Sequence, residues 1–407
     1  MSIHTRYTRL AIGVLAIASI LLSAPAASEE RLVIADGRGD WGGLAPYLHI
    51  PRGPGYVYTS FVFDTLLWKD ETGKLSPALA QAWHHDDSGL CYRFTMREDA
   101  TWHDGRVLGV DDVVFTIAYM QQHPYRFVDL GPIESARRLS ERDAEICMHK
   151  PYAPFLTTIA ASLPILPKHI YHKVEQPDRF RTSEAMIGSG PYRVDIYNRA
   201  QGRYRLLRND NYYGGSPRYK AIHIAKMQPD AALVALQKGE VDVMAVSHDR
   251  VPQFIEAGVA LQRQLSNHPY RLVFNHGGSF RETALRQALA YAIDRQALLD
   301  VVYPDRAIVA AVGYFQGDAA TPDLAPYAYA PKKAAALLQA QGWERQTNGR
   351  WHTEDAPVTL SLIASPKARL LAEAVAAQLH TFGIEITLRL EQGPQLSQRL
   401  KKHNFDL

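Results

Sequence analysis

The sequence contains few cysteines, little excess charge and no long apolar run after its first 22 residues. Its 45 Lys and Arg nearly balance 42 Asp and Glu, for a net charge of +3, so no basic surface for nucleic acid is expected. No later stretch holds about 18 consecutive apolar residues, and we therefore expect no transmembrane helix. The patterns HExxH, GxSxG, GxxxxGK[ST] and CxxC are absent as well, which leaves an enzymatic function with little support.

The first 26 residues have the layout of a cleavable secretory signal peptide. Arg6 and Arg9 precede an apolar run, Leu10–Leu22, which is too short to span a bilayer. Ala24 and Ala26 then give the small-residue spacing of a cleavage site, and no cysteine that could carry a lipid follows the run directly. We therefore expect a free protein in a bacterial periplasm.

The remaining sequence has the composition and pattern of a multidomain α/β protein. It is 46% hydrophobic and 21% charged, and its total of 407 residues predicts more than one core. Strands are predicted at RLVIAD from Arg31 and at RLVFN from Arg271, and one long helix is predicted over 282–303. Near the end, VTLSLIAS, a helix closed by Gly383 and IEITLRL predict a parallel strand pair.

The two cysteines, Cys91 and Cys147, lie in the strand-like runs CYRFTM and EICMHK. In an oxidising compartment two cysteines can pair, so a bridge between neighbouring strands is one interpretation. Two buried free thiols are the alternative, since the distance between the Cα atoms decides the matter.

The segment WHDG, with His103 and Asp104, precedes Asp111 and Asp112 and could be taken for a catalytic or metal-binding group. Asp and Gly favour turns, and acidic residues in the first turn of a helix interact well with its dipole. We therefore predict a turn followed by a helix over 107–120. The run HHDD at 84–87 lacks the spacing of two metal ligands on one helix face and is predicted to be a solvated loop.

Tyrosine is abundant, with 21 residues, and five of them fall in predicted loops. Tyrosine offers rigid contact area and a hydroxyl group, which suits the binding of a small polar ligand. Most tyrosines nevertheless serve packing, so the set is only a weak indication. The five are Tyr47, Tyr56, Tyr58, Tyr125 and Tyr314.

Six blocks of the sequence, in series from about Arg31 to Leu407, resemble the family 5 extracellular solute-binding proteins. This is the oligopeptide, dipeptide and nickel-binding group of ABC importers. The blocks begin at Trp83, Gly188, Leu206, Ala235, Leu272 and Tyr329, and they include WHHDDSGLCYRFTMREDATWHDG, GSGPYRV, LLRNDNYYGGSP and ALQKGEVDVM. Where family members usually carry Thr before the helix, this chain has Gly109.

The resemblance implies a two-lobed α/β fold, the type II periplasmic-binding-protein fold, with an extra α+β subdomain. The first lobe would comprise 27–56 and 188–267, the subdomain 57–187 and the second lobe 270–407. The chain ends where the family has a further stretch, so we expect an incomplete second lobe with unpaired strands. No position here matches the acidic residue of that stretch, which holds the peptide amino group in peptide-binding members.

The resemblance also implies a function without catalysis. A peptide or peptide-like solute would bind in a cleft between the lobes and pass to an inner-membrane ABC permease, and the protein would be a monomer with no cofactor, metal or nucleic acid. Arg52 could meet a carboxylate, and Ser247 and His248 follow a strand end, where α/β sheets bind ligands. The predicted contacts are Arg52, Gly55, Tyr56, Ser247, His248, Tyr270, Arg271, Asn275 and Tyr314.

Two other functions remain open at this point. The same fold can carry a nickel chelate, haem, an opine or an oligosaccharide, and fold resemblance does not choose among them. A secreted hydrolase is the alternative from a different class, but it would need a nucleophile with its base or a metal site.

Overall fold

A computed structural model describes residues 30–50, 54–70, 72–247, 250–262, 270–303, 309, 325, 327–354 and 356–407. These residues mix strands and helices, as the α/β prediction requires, and they divide into two compact units after Gln262. Each unit has its own hydrophobic core. Within the described residues, none of the helices combines the length and hydrophobicity that crossing a lipid bilayer requires.

The first unit contains eleven strands and five α-helices among its described residues. The strands are β1 (Arg31–Asp36), β2 (Leu67–Lys69), β3 (Leu75–Pro77), β4 (Ala80–His85), β5 (Cys91–Met96), β6 (Ile133–Arg138), β7 (Asp143–Met148), β8 (Tyr192–Asn198), β9 (Arg203–Arg208), β10 (Ala221–Lys226) and β11 (Val243–Met244). The helices are α1 (Pro54–Thr59), α2 (Val110–Gln122), α3 (Lys168–Tyr171), α4 (Pro229–Gln237) and α5 (Val251–Glu256), with a π-helical turn at Leu156–Ala160.

A five-stranded sheet in the order β11-β1-β10-β9-β8 forms one layer of the first unit. Strand β1 lies between β11 and β10 and pairs in parallel with both, whereas β9 and β8 continue the sheet antiparallel. The Asp242 carboxylate, just before β11, accepts a hydrogen bond from the Val33 N–H at 2.7 Å and extends that pairing. The parallel strands β1, β10 and β11 therefore end at the same edge of the sheet.

A second, antiparallel sheet has the order β4-β5-β7-β6. Buried residues of this sheet and of helix α2 belong to the same hydrophobic core. Cys91 and Cys147 face each other in the β5–β7 register, with their Cα atoms 4.1 Å apart, and they form a disulfide bond. The prediction of a loop at 84–87 is wrong for His84 and His85, because these two exposed residues form the end of strand β4. The turn begins at Asp86, whose carboxylate accepts hydrogen bonds from the N–H groups of Leu90 and Cys91.

Helix α2 follows the WHDG turn, as predicted, but begins at Val110 and not at Val107. The Asp112 carboxylate accepts hydrogen bonds from the Gly109 N–H at 3.0 Å and the Lys168 N–H at 2.9 Å. One acidic residue of the first turn thus ties the helix start to α3. Asp111, which is exposed, pairs with Arg138 on β6 and also with the Lys168 side chain of α3 at 3.8 Å.

The second unit combines five helices with five short or paired strands in its described residues. They are α6 (Thr283–Ala292), α7 (Arg295–Val302), α8 (Pro331–Ala340), β12 (Trp343–Arg345), β13 (Trp351–Thr353), β14 (Ala356–Pro357), β15 (Thr359–Ala364), α9 (Arg369–Phe382), β16 (Glu385–Leu390) and α10 (Gly393–Lys401). Strands β15 and β16 pair in parallel across α9, and Gly383 ends α9 in the left-handed conformation with φ 101°. Both features confirm the prediction for this segment.

The single helix predicted over 282–303 is wrong, because the chain breaks it into α6 and α7 at Ile293 and Asp294. The Asp294 carboxylate accepts a hydrogen bond from the Ala297 N–H at 3.0 Å and so caps α7. The Gln378 side chain on α9 also bonds to both the N–H and the carbonyl of Asp294. These contacts compensate the backbone groups that the break leaves without helical partners.

The strand predicted at RLVFN is also wrong, since 271–275 has no regular strand conformation. The Asn275 N–H donates to the carbonyl of Asp406, and its side-chain amide donates to the carbonyls of His403 and Phe405. The Leu407 N–H donates to the Ser361 carbonyl, and its carbonyl accepts from the Ile363 N–H, both in β15. Residues 405–407 therefore lie between β15 and Asn275, and Leu407 is buried.

Candidate functional site

The carboxyl edge of the parallel strands β1, β10 and β11 is the position in the first unit where the fold favours a ligand. Asp36 ends β1, Lys226 ends β10, and Ser247 lies three residues beyond β11. Lys226 and Ser247 are exposed, whereas Asp36 is only 8% exposed. A buried carboxylate at such an edge requires several hydrogen-bond donors around it.

The Asp36 carboxylate receives four hydrogen bonds and fixes the loop that follows β1. One oxygen accepts from the N–H groups of Arg38 and Gly39 at 2.9 and 2.8 Å. The other accepts from the Trp41 indole at 2.9 Å and from the Tyr58 hydroxyl at 2.8 Å. Burial, together with the negative charge of Asp36, raises the pKa of Tyr58, which therefore remains a donor. The buried Asp36 carboxylate thus holds the loop in place through Arg38, Gly39 and Trp41.

Trp41 is held at its backbone as well as at its ring. The Tyr204 hydroxyl accepts from the Trp41 N–H and donates to the Gly42 carbonyl, both at 2.8 Å. Tyr197 stacks on Tyr204 with ring centroids 4.9 Å apart and donates to the Asp40 carboxylate at 2.7 Å. The indole is only partly buried, so one part of a fixed aromatic ring stays accessible at the sheet edge.

Sequence reasoning did not identify this loop, although its spacing contained a signal. The run GRGDWG, from Gly37 to Gly42, matches G-x-G-x-x-G directly after a strand. In a dinucleotide site this run opens a helix, whereas here it leads into turns. Gly39 and Gly42 have φ of 81° and 84°, and a Cβ on Gly42 would lie 2.2 Å from the Leu48 carbonyl oxygen. The glycines therefore serve the tight course of the loop.

Among the predicted first-unit residues that the structure describes, Ser247 alone is exposed at the carboxyl edge of the sheet. Gly55 is buried in α1. The Tyr56 hydroxyl donates to the Ser162 carbonyl at 3.0 Å, and its ring stacks on Phe127 at 5.6 Å. Burial raises the pKa of Tyr56. Gly55 and Tyr56 are therefore placed by packing, and Arg52 and His248 lie outside the described residues.

The tyrosines predicted in loops form packing contacts in most cases. Tyr47 and Tyr125 lie edge to face with centroids 5.9 Å apart, and His49 bonds to the Tyr125 hydroxyl at 2.9 Å. The Tyr47 hydroxyl donates to the His123 carbonyl at 2.6 Å. Tyr58 belongs to α1 and to the Asp36 network, and Tyr314 lies outside the described residues. Their hydroxyls are therefore engaged within the first unit.

In the second unit, Tyr270 and Arg271 are exposed, and Tyr270 stacks on Tyr303 with centroids 5.6 Å apart. Burial, followed by the bond to Tyr270, raises the pKa of Tyr303. The amide of Asn275 is used by the carbonyls of His403 and Phe405. The Asn275 side chain thus links two segments of the second unit, and the contacts of Tyr270, Arg271 and Asn275 with a solute stay predictions.

His103 does not pair with Asp104 but clamps the GSGP turn at Gly188. The Gly188 N–H donates to His103 Nδ1 at 3.2 Å, so the proton lies on Nε2, which donates to the Gly190 carbonyl at 3.0 Å. Asp104 instead accepts from His169 at 2.8 Å. Burial lowers the pKa of His103 to about 4. The imidazole is therefore a neutral linker between two segments of the first unit.

This geometry predicts an acid-sensitive contribution to stability. Below pH 6.5 His103 takes up a proton in the unfolded chain, whereas in the folded protein it stays neutral until about pH 4. The free energy of unfolding therefore falls as the pH is lowered through this range. A shift of that size corresponds to about 3 kcal/mol. Urea unfolding from pH 7 to 4.5 should show a shallower pH dependence for His103→Gln than for the wild type.

The exposed His84 provides the control, because His84→Gln should keep the wild-type pH dependence. Equal slopes for His103→Gln and the wild type would contradict a buried neutral role for His103.

In the described residues, one group of three side chains has the proximity of a metal site, namely Cys91, Glu145 and Cys147. Its two sulfur atoms are joined in the disulfide, and the Glu145 carboxylate is held by Arg137. A metal would need deprotonated thiolates. The two cysteines of this group therefore serve as a covalent link between β5 and β7.

Comparison with known proteins agrees with this architecture. A nickel-binding periplasmic protein of Escherichia coli (strain K12) is 25% identical, covering 98% of this chain and 78% of its own length. A dipeptide-binding protein of the same organism is 24% identical, covering 95% and 77%. A periplasmic oligopeptide-binding protein of an ABC transporter from Thermotoga maritima has a similar structure, with a TM-score of 0.76, 22% identity and coverage of 93% and 76%.

The family model of the bacterial extracellular solute-binding proteins, family 5, matches residues 74–407. The fold is the one predicted from the resemblance, as the likeness to a periplasmic binding protein shows. Since the match covers most of the chain, this protein belongs to the bacterial extracellular solute-binding proteins of family 5.

Proposed function

We propose that this protein is the periplasmic substrate-binding component of an ABC importer, which binds a peptide or peptide-like solute and delivers it to a membrane permease. The observation that carries the proposal is the carboxyl edge of β1, β10 and β11, where Asp36 fixes a loop with a partly accessible indole. Export through the predicted signal peptide would place the protein on the outer side of the inner membrane.

The chemistry of this edge suits a small solute with polar and apolar parts. Trp41 offers an aromatic face, the Arg38 side chain offers N–H donors, and Ser247 offers a hydroxyl group. A few polar groups placed on a rigid frame orient a ligand within apolar walls. A peptide has both kinds of surface along its length, which is why we favour it.

A metal chelate is the second candidate. The observation in its favour is the 25% identity to a nickel-binding periplasmic protein. A chelate presents a compact polar ligand with little extended main chain, so the two candidates are separable by direct binding.

Thermal unfolding of the full-length protein with ligand pools tests both candidates. Ligand at 100 times its Kd should stabilise the folded state by about 2.7 kcal/mol, seen as a rise in Tm. We expect that rise with tripeptide pools. A rise with nickel-histidine alone would favour the chelate instead.

Mass spectrometry of the ligands after incubation completes the test. Intact peptides accompany binding without chemistry, whereas cleaved peptides or esters in the absence of any Tm shift would contradict an importer function. Trp68→Ala provides a matched control for Trp41→Ala, because Trp68 is 49% exposed on β2, away from the carboxyl edge. Only Trp41→Ala should reduce the ligand-induced shift.

A further inference from the structure

The side chain of Arg38 is positioned at the carboxyl edge of β1. Its guanidinium carbon lies 4.8 Å from the centre of the Trp41 ring, and its Nε donates to the Asp40 carbonyl at 3.2 Å. Both contacts rest on the loop that Asp36 fixes through the Trp41 indole. A guanidinium stacked on an aromatic ring has lost much of its rotational freedom before a ligand arrives.

The outer nitrogens of the Arg38 guanidinium have no protein partner in the part of the chain that the structure describes. The carboxylate of the nearby Asp40 is already engaged by the Tyr197 hydroxyl, the Gly42 N–H and Arg199. Burial acts to raise the pKa of Asp40, but these bonds and the nearby arginines lower it overall, so Asp40 is ionised and satisfied. Arg38 therefore presents donors to solvent.

Lys226 adds a second positive charge beside this loop. Its Cβ and Cγ atoms pack against Gly39, where an added Cβ would come within 2.4 Å of Lys226 Cβ. Lys226 ends β10 and is exposed. The edge thus has cationic side chains at the ends of two adjacent parallel strands, and its buried acid Asp36 is fully hydrogen-bonded.

We propose that Arg38 is a specificity-determining residue that binds a carboxylate group of the solute, so that the solute class is anionic at one end, as in a peptide with a free C-terminus. The proposal deepens the function proposed above and rests on it. Two parallel N–H donors of a guanidinium match the two oxygens of a carboxylate. Trp41 would meet the apolar part of the solute next to that carboxylate.

A double-mutant cycle on the full-length protein tests the pairing. The probes are tripeptides with alanine at both ends and any residue in the middle, prepared as free acids and as C-terminal amides, with titration calorimetry as the readout. We expect the wild type to bind the acids about tenfold to a hundredfold more tightly than the amides. Arg38→Ala should bind acids and amides equally, and Arg38→Lys should lie between, since lysine lacks the planar fork.

Arg31→Ala is the matched control, because Arg31 is exposed at the opposite end of the same strand. It should retain the wild-type preference for acids, and all three variants should keep the wild-type Tm without ligand. Equal binding of acids and amides by the wild type would overturn the role of Arg38 while leaving solute binding intact. If neither the acids nor the amides bind, the proposed role of Arg38 is overturned. Thermal unfolding with nickel-histidine then tests separately whether the protein binds a metal chelate.

Discussion

Replacing both Cys91 and Cys147 by alanine is expected to lower the free energy of unfolding by about 4 kcal/mol. The disulfide closes a loop with a sequence separation of 56, so its removal restores a large conformational freedom to the unfolded chain. Strand β6 lies within this loop of the sequence and pairs with β7 in the same sheet. A shift in the register of β7 would therefore also disturb β6. Urea unfolding of the oxidised wild type and the double variant measures the difference.

Thr95→Ala is the matched control for the disulfide. Thr95 lies opposite Asp143 on the same two strands and donates to its carboxylate at 2.7 Å. Loss of one such hydrogen bond should cost about 1–2 kcal/mol. The wild type treated with a thiol reductant should approach the double variant, and a loss no larger than that of Thr95→Ala would contradict the stabilising role of the bridge.

The second large effect is expected for Gly188→Ala. A Cβ at this position would lie 1.9 Å from the Val62 carbonyl oxygen. The Gly188 N–H also donates to the His103 ring, and the Gly188 carbonyl accepts from the His103 N–H. Because the obstacle is backbone, relief requires movement of the segment and not of a flexible side chain. We expect a loss of about 3 kcal/mol in the free energy of unfolding, measured by urea titration.

Gly109→Ala provides the comparison for Gly188→Ala. No atom lies within 4 Å of an added Cβ there, and the φ of Gly109 is -145°, which any residue adopts. We expect a change of about 1 kcal/mol or less, since only the helix N-cap preference is affected. Equal losses in the two variants would show that the GSGP turn yields easily.

Local patterns were sufficient to predict the α/β class and several elements. Strand β1 and the unit of β15, α9 and β16 follow directly from apolar periodicity and from Gly383. The break at Asp294 was not predicted, because the backbone groups that it exposes are bound by a side chain on another helix, Gln378, a contact that no local pattern contains. Likewise, the amide of Asn275 is bound to carbonyls about 130 residues away, and no local pattern contains that contact.

The candidate site was predicted less well than the fold, for a similar reason. The strand end before Ser247 was found because a sheet edge can be inferred from strand order. Tyr56 was assigned to the ligand because the loop at 51–56 resembles the first cleft loop of the family, and its contact with a solute stays a prediction. Its bond to Ser162 and its stacking on Phe127 were not predicted, because both partners are distant in sequence. Arg38 was overlooked because its orientation depends on Trp41 and on the buried Asp36, which only the folded loop brings together.

The disulfide between Cys91 and Cys147 also makes the protein convenient to label. These are the only two cysteines in the sequence, and both are consumed by the bridge. A cysteine introduced at the exposed Ser247 would consequently be the single reactive thiol for an environment-sensitive dye. Such a conjugate would convert this solute-binding protein into an optical sensor whose emission would change if a solute binds at the sheet edge.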